Sequence, residues 1–110
     1  MTNQGILLRI LIGEDDRYNG RPLYEQIVLK ARELELAGAT VFRGIMGFGA
    51  DSLIHTTKIL QLSEDMPVVI EIIDTKENIN KIIPFLDENV KGGLITMEKA
   101  KIIKYSTSKK

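Results

Sequence analysis

Ala37-Gly38-Ala39-Thr40-Val41-Phe42-Arg43-Gly44-Ile45-Met46-Gly47-Phe48-Gly49 runs a helix end, a strand and a glycine turn together without a spacer. Gly38 follows a strongly periodic segment and suits the left-handed position that stops helices, while Thr40, Val41, Phe42, Ile45 and Met46 favour a strand. Gly44, Gly47 and Gly49 then free the backbone to turn and let a ligand come close to the chain. Glycines at this density open a phosphate-binding loop in some proteins and a plain hairpin in others. The full phosphate-loop spacing is missing, so on these residues alone both readings stay open.

Upstream, residues 5–12 read as a strand, with Ile6, Leu8, Ile10 and Ile12 on one face and Leu7, Arg9 and Leu11 on the other. Apolar residues on both faces imply a central strand, in which Arg9 is read as a salt-bridge partner ahead of an interface residue. Residues 13–20 form a polar, turn-rich loop. Its acids Glu14, Asp15 and Asp16 lack the further oxygen ligands at fixed offsets that a calcium or magnesium site needs. Pro22 suits a first helical turn, and Leu23, Ile27, Val28, Ala31, Leu34 and Ala37 give a helix over 22–37 one buried face.

Downstream, residues 39–46 are the second strand and residues 50–65 fit neither period, so they read as an extended or partly ordered loop. That loop holds the sole histidine, His55, beside Thr56 and Thr57, groups able to hydrogen-bond an anion. With no nucleophile beside it, His55 implies no catalysis. Pro67 starts a third strand, Val68 to Ile73, whose branched apolar run signals burial on both faces and whose Glu71 is expected to pair with Arg9 or Arg43. Asp74 and Glu77 have capping-box spacing. Ile79, Ile82, Ile83 and Leu86 continue as a helix that Pro84 should kink or end early. Lys91-Gly92-Gly93 is a second glycine turn, followed by two short strands over 94–97 and 100–105 and a loose tail over 106–110.

The order strand, helix, strand, strand, helix, strand predicts an α+β, ferredoxin-like βαββαβ domain over 1–110, with a mostly antiparallel sheet, two helices on one face and a short extra C-terminal strand. The opposite face, with Leu7, Leu11, Val69 and Ile73 or their alternates, has no covering element and predicts self-association.

At 110 residues the chain has the size of one domain, and its 44% hydrophobic and 27% charged residues fit an ordinary globular protein. Fifteen basic and fifteen acidic residues cancel, and tryptophan is missing, which argues against a nucleic-acid partner. The absence of cysteine excludes thiol catalysis and cysteine-ligated metals. Met1-Thr2-Asn3-Gln4 lacks the basic start of a secretory signal, so a cytoplasmic location is expected.

Two further matches join these readings. Gly38-Ala39-Thr40-Val41 and Gly47-Phe48-Gly49 stand at the spacing at which PII signalling proteins start their second strand and open their long loop. Leu23-Tyr24-Glu25, His55-Thr56 and Pro67-Val68-Val69-Ile70-Glu71 match a narrower set. The chain thus resembles the PII superfamily, and more closely the uncharacterised bacterial PII-like proteins often encoded beside fluoride-channel genes. The resemblance implies a homotrimer that binds an adenine nucleotide, ADP, ATP or AMP, in clefts between subunits. It places Thr40 near the base, and Gly47, Phe48 and Gly49 near the ribose and phosphates, with His55 and Thr56 in the following loop. Lys91, Gly92 and Gly93 match the second phosphate loop, where successive amides cradle an anion.

There are departures. The PII aspartate between the loop glycines and the lysine after them have no counterpart here, because Gly92 is followed by Gly93 and Leu94. Lys91, Lys101 or Lys104 are the candidates to replace that lysine and the terminal PII arginines. Residues 50–66 contain no tyrosine, so the PII site of covalent modification is absent.

The expected function is a non-enzymatic regulator, with no obligatory cofactor or metal, that signals nucleotide state to a partner through residues 50–65. A membrane channel or transporter as that partner is implied by the resemblance alone. The alternatives are an RNA-binding module of the same fold order, a structural trimer without ligand, and a small phosphatase built around His55.

Overall fold

The computed structural model describes residues 3–47 and 66–107. The expectations at Phe48, Gly49, His55 and Thr56, and for the loop over 50–65, lie outside the described residues.

The first strand, β1, runs Gln4–Gly13 and sits centrally because its even-numbered side chains bury Leu8, Ile10 and Ile12 while Leu7, Arg9 and Leu11 face the other way, half-buried. Residues 13–20 are more than a loop. Arg17–Tyr18 (β2) and Arg21–Pro22 (β3) pair as a small hairpin around Asn19 and Gly20, whose φ values of 53° and 78° are those of the two-residue turn that Asn-Gly favours. Tyr18 meets Phe85 edge-on at 5.4 Å between ring centres, and Lys30 lies 5.7 Å from the same ring, so hairpin and both helical segments share one aromatic contact.

The first helix, α1, is Leu23–Glu33, shorter than the expected 22–37. Leu23, Ile27 and Ala31 are its buried stripe. The stop comes from Glu35, not Gly38: Glu35 takes φ 62°, and Leu36 N–H returns to Ala31 O at 2.9 Å, the bond pattern of a left-handed helix end. The second main strand, β4, is also shorter than expected, Thr40–Arg43. Pairing continues one bond further, with Gly44 N–H donating to Pro67 O at 2.7 Å, and Ile45 and Met46 then leave the sheet exposed.

Strand β5, Pro67–Asp74, buries Val68, Ile70, Ile72 and Asp74 on one side. The helix after it starts one residue later than the capping box implied. Thr75 is the cap, its hydroxyl accepting from Asn78 N–H at 3.2 Å, ahead of α2, Lys76–Ile79. Pro84, which has no N–H to donate, stands in the first turn of a separate helix α3, Ile83–Asn89, and so splits this layer in two as expected. The two short strands expected near the end are one strand, β6, Leu94–Lys101, held along its length by β1.

The four main strands form one antiparallel sheet in the order β4-β5-β1-β6, the ferredoxin-like arrangement. Every buried apolar side chain of the core cluster lies between the even-numbered face of β1 and β5 and the helices, with Ile27, Ile79, Ile82 and Leu86 closing it. No described helix is long and apolar enough to cross a membrane.

Candidate functional site

Among the described residues nothing covers the face away from the helices, and strand register sorts it into rows. Phe42, Val69, Leu11 and Leu94 stand side by side across the sheet, an apolar row, with Phe42 51% and Leu94 55% exposed. The next row is polar: Thr40, Glu71, Arg9 and Thr96. Beyond it stand Ile73, Leu7 and Glu98. The four residues expected to share this face, Leu7, Leu11, Val69 and Ile73, do share it. In the polar row Arg9 Nε and Nη2 both donate to Glu71 Oε2 at 3.0 Å, and Glu98 lies 4.0 Å from Nη1. Glu71 therefore finds Arg9; Arg43 turns instead to Glu14, at 2.8 Å.

At one end of this face the sheet opens into a groove of about 620 Å³. Residues 37–40 form one wall, Glu71 and Ile73 the floor, and residues 100–105 the other wall. The second wall is tied down where Ile102 N–H donates to Asn3 O at 2.7 Å, after which Ile103, Lys104 and Tyr105 run exposed over the groove. Thr40, expected near a base, is thus in a groove, and Lys101 and Lys104 line it as well. These residues supply a hydroxyl, a carboxylate held by a guanidinium, two ammonium groups, an aromatic ring and apolar side chains, which suits a flat polar ligand with an anionic end.

The two glycine turns lie at the other end of the sheet. Gly47 follows the exit of β4, and Lys91, Gly92 and Gly93 lead into β6. At Gly93 the chain passes so close to β1 that a Cβ would collide with the Leu11 carbonyl oxygen, so the turn is built against the sheet and requires glycine. Because β4 and β6 are opposite edges, three strand spacings separate the turns, about 14 Å. Thr40 and Lys91 to Gly93 are further apart still, at opposite edges and opposite ends. Among the described residues, one chain thus keeps Thr40 and Gly47 apart from Lys91, Gly92 and Gly93.

Sequence reasoning misses two parts of this site. The wall over 102–105 reads as the end of a strand, whereas β6 stops at Lys101 and the chain beyond it leaves the sheet. Asp74 reads as a helix cap, yet Thr75 caps the helix and Asp74 bonds Ala37 N–H at 2.8 Å, in the groove wall. Two capping residue types in succession, Asp74-Thr75, where a helix needs one, are the available signal.

Over residues 5–102 the chain matches the family DUF190, described as "Uncharacterized ACR, COG1993". A "UPF0166 protein" of Aquifex aeolicus (strain VF5) is 45% identical over 100 residues, 88% of this chain and 91% of the relative. The "UPF0166 protein MJ1524" of Methanocaldococcus jannaschii is 35% identical over 102 residues, 92% of this chain and 94% of the relative. The match with the family spans all four main strands and the helices, and the chain belongs to the DUF190 family.

Proposed function

We propose that this chain is a non-enzymatic, PII-like regulator that assembles as a homotrimer in the cytoplasm and binds an adenine nucleotide between neighbouring copies. One observation carries the reading. Thr40, in one wall of the groove, and the turn after β4 lie along one sheet edge, and the Lys91 to Gly93 turn lies on the other, at the far end of the sheet. A nucleotide laid along β4, base in the groove and phosphates toward Gly47, runs at least the length of that strand, about 10 Å over three residue steps. The second anion-cradling turn reaches those phosphates only from another copy. The uncovered row of Phe42, Val69, Leu11 and Leu94 supplies the apolar area that such an assembly would bury.

Lys101 and Lys104 are the cations of the groove and stand in for the terminal arginines of PII proteins. Without a lysine after Gly93, a diphosphate or monophosphate is the better fit than a triphosphate. Nucleotide state would pass to a partner, a channel or transporter by the resemblance, and can do so only if bound and free forms differ in affinity for it.

Sedimentation of the purified protein with calorimetric titration of ADP, ATP and AMP tests both halves. A trimer that binds ADP is the expected result; a monomer, or no heat at millimolar nucleotide, rejects the reading. A trimer indifferent to every nucleotide would instead support a purely structural role, which the uncovered face also favours.

A further inference from the structure

Asp74 is the one buried charged side chain among the described residues, 1% exposed, and no basic group there pairs with it. Three N–H donors from three places in the chain meet its carboxylate instead. Oδ2 accepts from Ala37 N–H at 2.8 Å, and Oδ1 accepts from Thr75 N–H at 2.7 Å and from Asn78 Nδ2 at 3.0 Å. Such charge-assisted bonds are stronger than neutral ones, and a carboxylate alone among side chains offers acceptors on both oxygens and no donor.

Capping does not explain this arrangement, because the Thr75 hydroxyl already accepts from Asn78 N–H. What Asp74 adds is the bond to Ala37, the first residue of the groove wall. Ile73 forms the floor of that groove from the open face, while Asp74 reaches the wall from the helix side. We propose that Asp74 is a positioning residue: it holds the wall over 37–40 against β5 and so fixes the edge that a bound nucleotide meets. Its ligand consequence rests on the nucleotide reading above; its effect on the wall does not.

Asp74→Asn separates this from mere stability. An amide has one acceptor oxygen, and turning it toward Thr75 and Asn78 points the NH2 group at Ala37 N–H, donor against donor. Thr75→Ala is the control, since it removes the cap and leaves the wall bond in place. The double variant D74N/N78D reverses the side-chain pair: the amide now at position 74 donates to the carboxylate now at position 78 and its oxygen again faces Ala37, with the Thr75 N–H bond alone given up.

Amide hydrogen exchange at Ala37 and titration with ADP are the two readouts. Exchange at Ala37 and the dissociation constant for ADP should each rise about tenfold or more in D74N, the loss expected for a bond to a charged acceptor. Both should stay near wild type in T75A, and D74N/N78D should recover the protection of Ala37. Wild-type exchange at Ala37 in D74N, an equal rise in T75A, or no protection in a folded D74N/N78D would overturn the proposal. Should D74N change the exchange while even the wild type ignores ADP, the wall role stands and the nucleotide reading falls. Should the wild type bind ADP and D74N bind it equally well with Ala37 released, the ligand part of the proposal is wrong.

Discussion

The two faces of one sheet are built from the same strands and obey different rules. On the helix side, Leu8, Ile10, Ile12, Val68, Ile70 and Ile72 are closed over by α1, α2 and α3, and Asp74, the one buried charge among the described residues, is held by three donors. On the other side an apolar row lies next to a row holding the Arg9 and Glu71 ion pair, and nothing within the described chain covers either. Adjacent residues of β5 thus belong to a finished core and to an unfinished surface. The difference separates what folds the chain from what remains available for assembly and ligand.

The sharpest way to break that contrast is to truncate neighbours. Ile70→Ala should cost about 2–5 kcal/mol, because the fully buried side chain leaves a cavity that the layer cannot collapse into. Val69→Ala, one residue away and half-buried, should cost about 1 kcal/mol or less in an isolated subunit. Denaturant titration of both variants at two protein concentrations checks this. If the open face is buried in an assembly, only Val69→Ala should show a penalty that is larger in the assembled protein and shrinks as dilution separates the subunits. Equal, concentration-independent costs would mean that the two faces do not differ as described.

The polar row allows a finer test. Arg9 and Glu71 are each about one-third exposed, so water screens their attraction, and a double-mutant cycle with Arg9→Met and Glu71→Gln should return a coupling of about 0.5 to 1 kcal/mol in a single subunit. A markedly larger coupling in the assembled protein would place the pair away from water. A coupling near zero at low salt would show that the 3.0 Å contact contributes nothing measurable.

These neighbours also explain what could be read from the sequence. Strands β1 and β5 were legible as central strands, because each is a nearly continuous apolar run broken by a single charge, Arg9 in one and Glu71 in the other. The Arg9 and Glu71 pair was legible as one of two options, and only the register of β1 against β5 chooses between Arg9 and Arg43. Places where short-range chemistry competes were not legible. Asn19-Gly20 reads as part of a polar loop although it specifies a hairpin. Thr75 displaces Asp74 as a cap. Of the candidate site, Thr40 was named through the resemblance alone, and the groove it lines was not legible, since the opposing wall comes from residues 100–105, far away in sequence.

The smallest expected effect has the opposite sign, and it concerns where the covering layer ends. In sequence Gly38 is the residue suited to stop α1, but Glu35 holds the left-handed conformation, at φ 62°, three residues earlier. A side chain there costs about 1–2 kcal/mol in steric crowding. Glycine would relieve that strain but give up about 0.5–1 kcal/mol of backbone entropy to folding. The balance predicts that Glu35→Gly stabilises the chain by about 0.5 to 1 kcal/mol, visible as a higher denaturation midpoint with an unchanged slope. The exposed Glu35 makes no ion pair among the described residues, so little is lost with its side chain. A lower midpoint would mean that α1 runs on past Glu35 toward Gly38. Residues 37–40 would then be held by the helix and not by Asp74, and the same variant would show it as unchanged exchange at Ala37 when Asp74 is replaced.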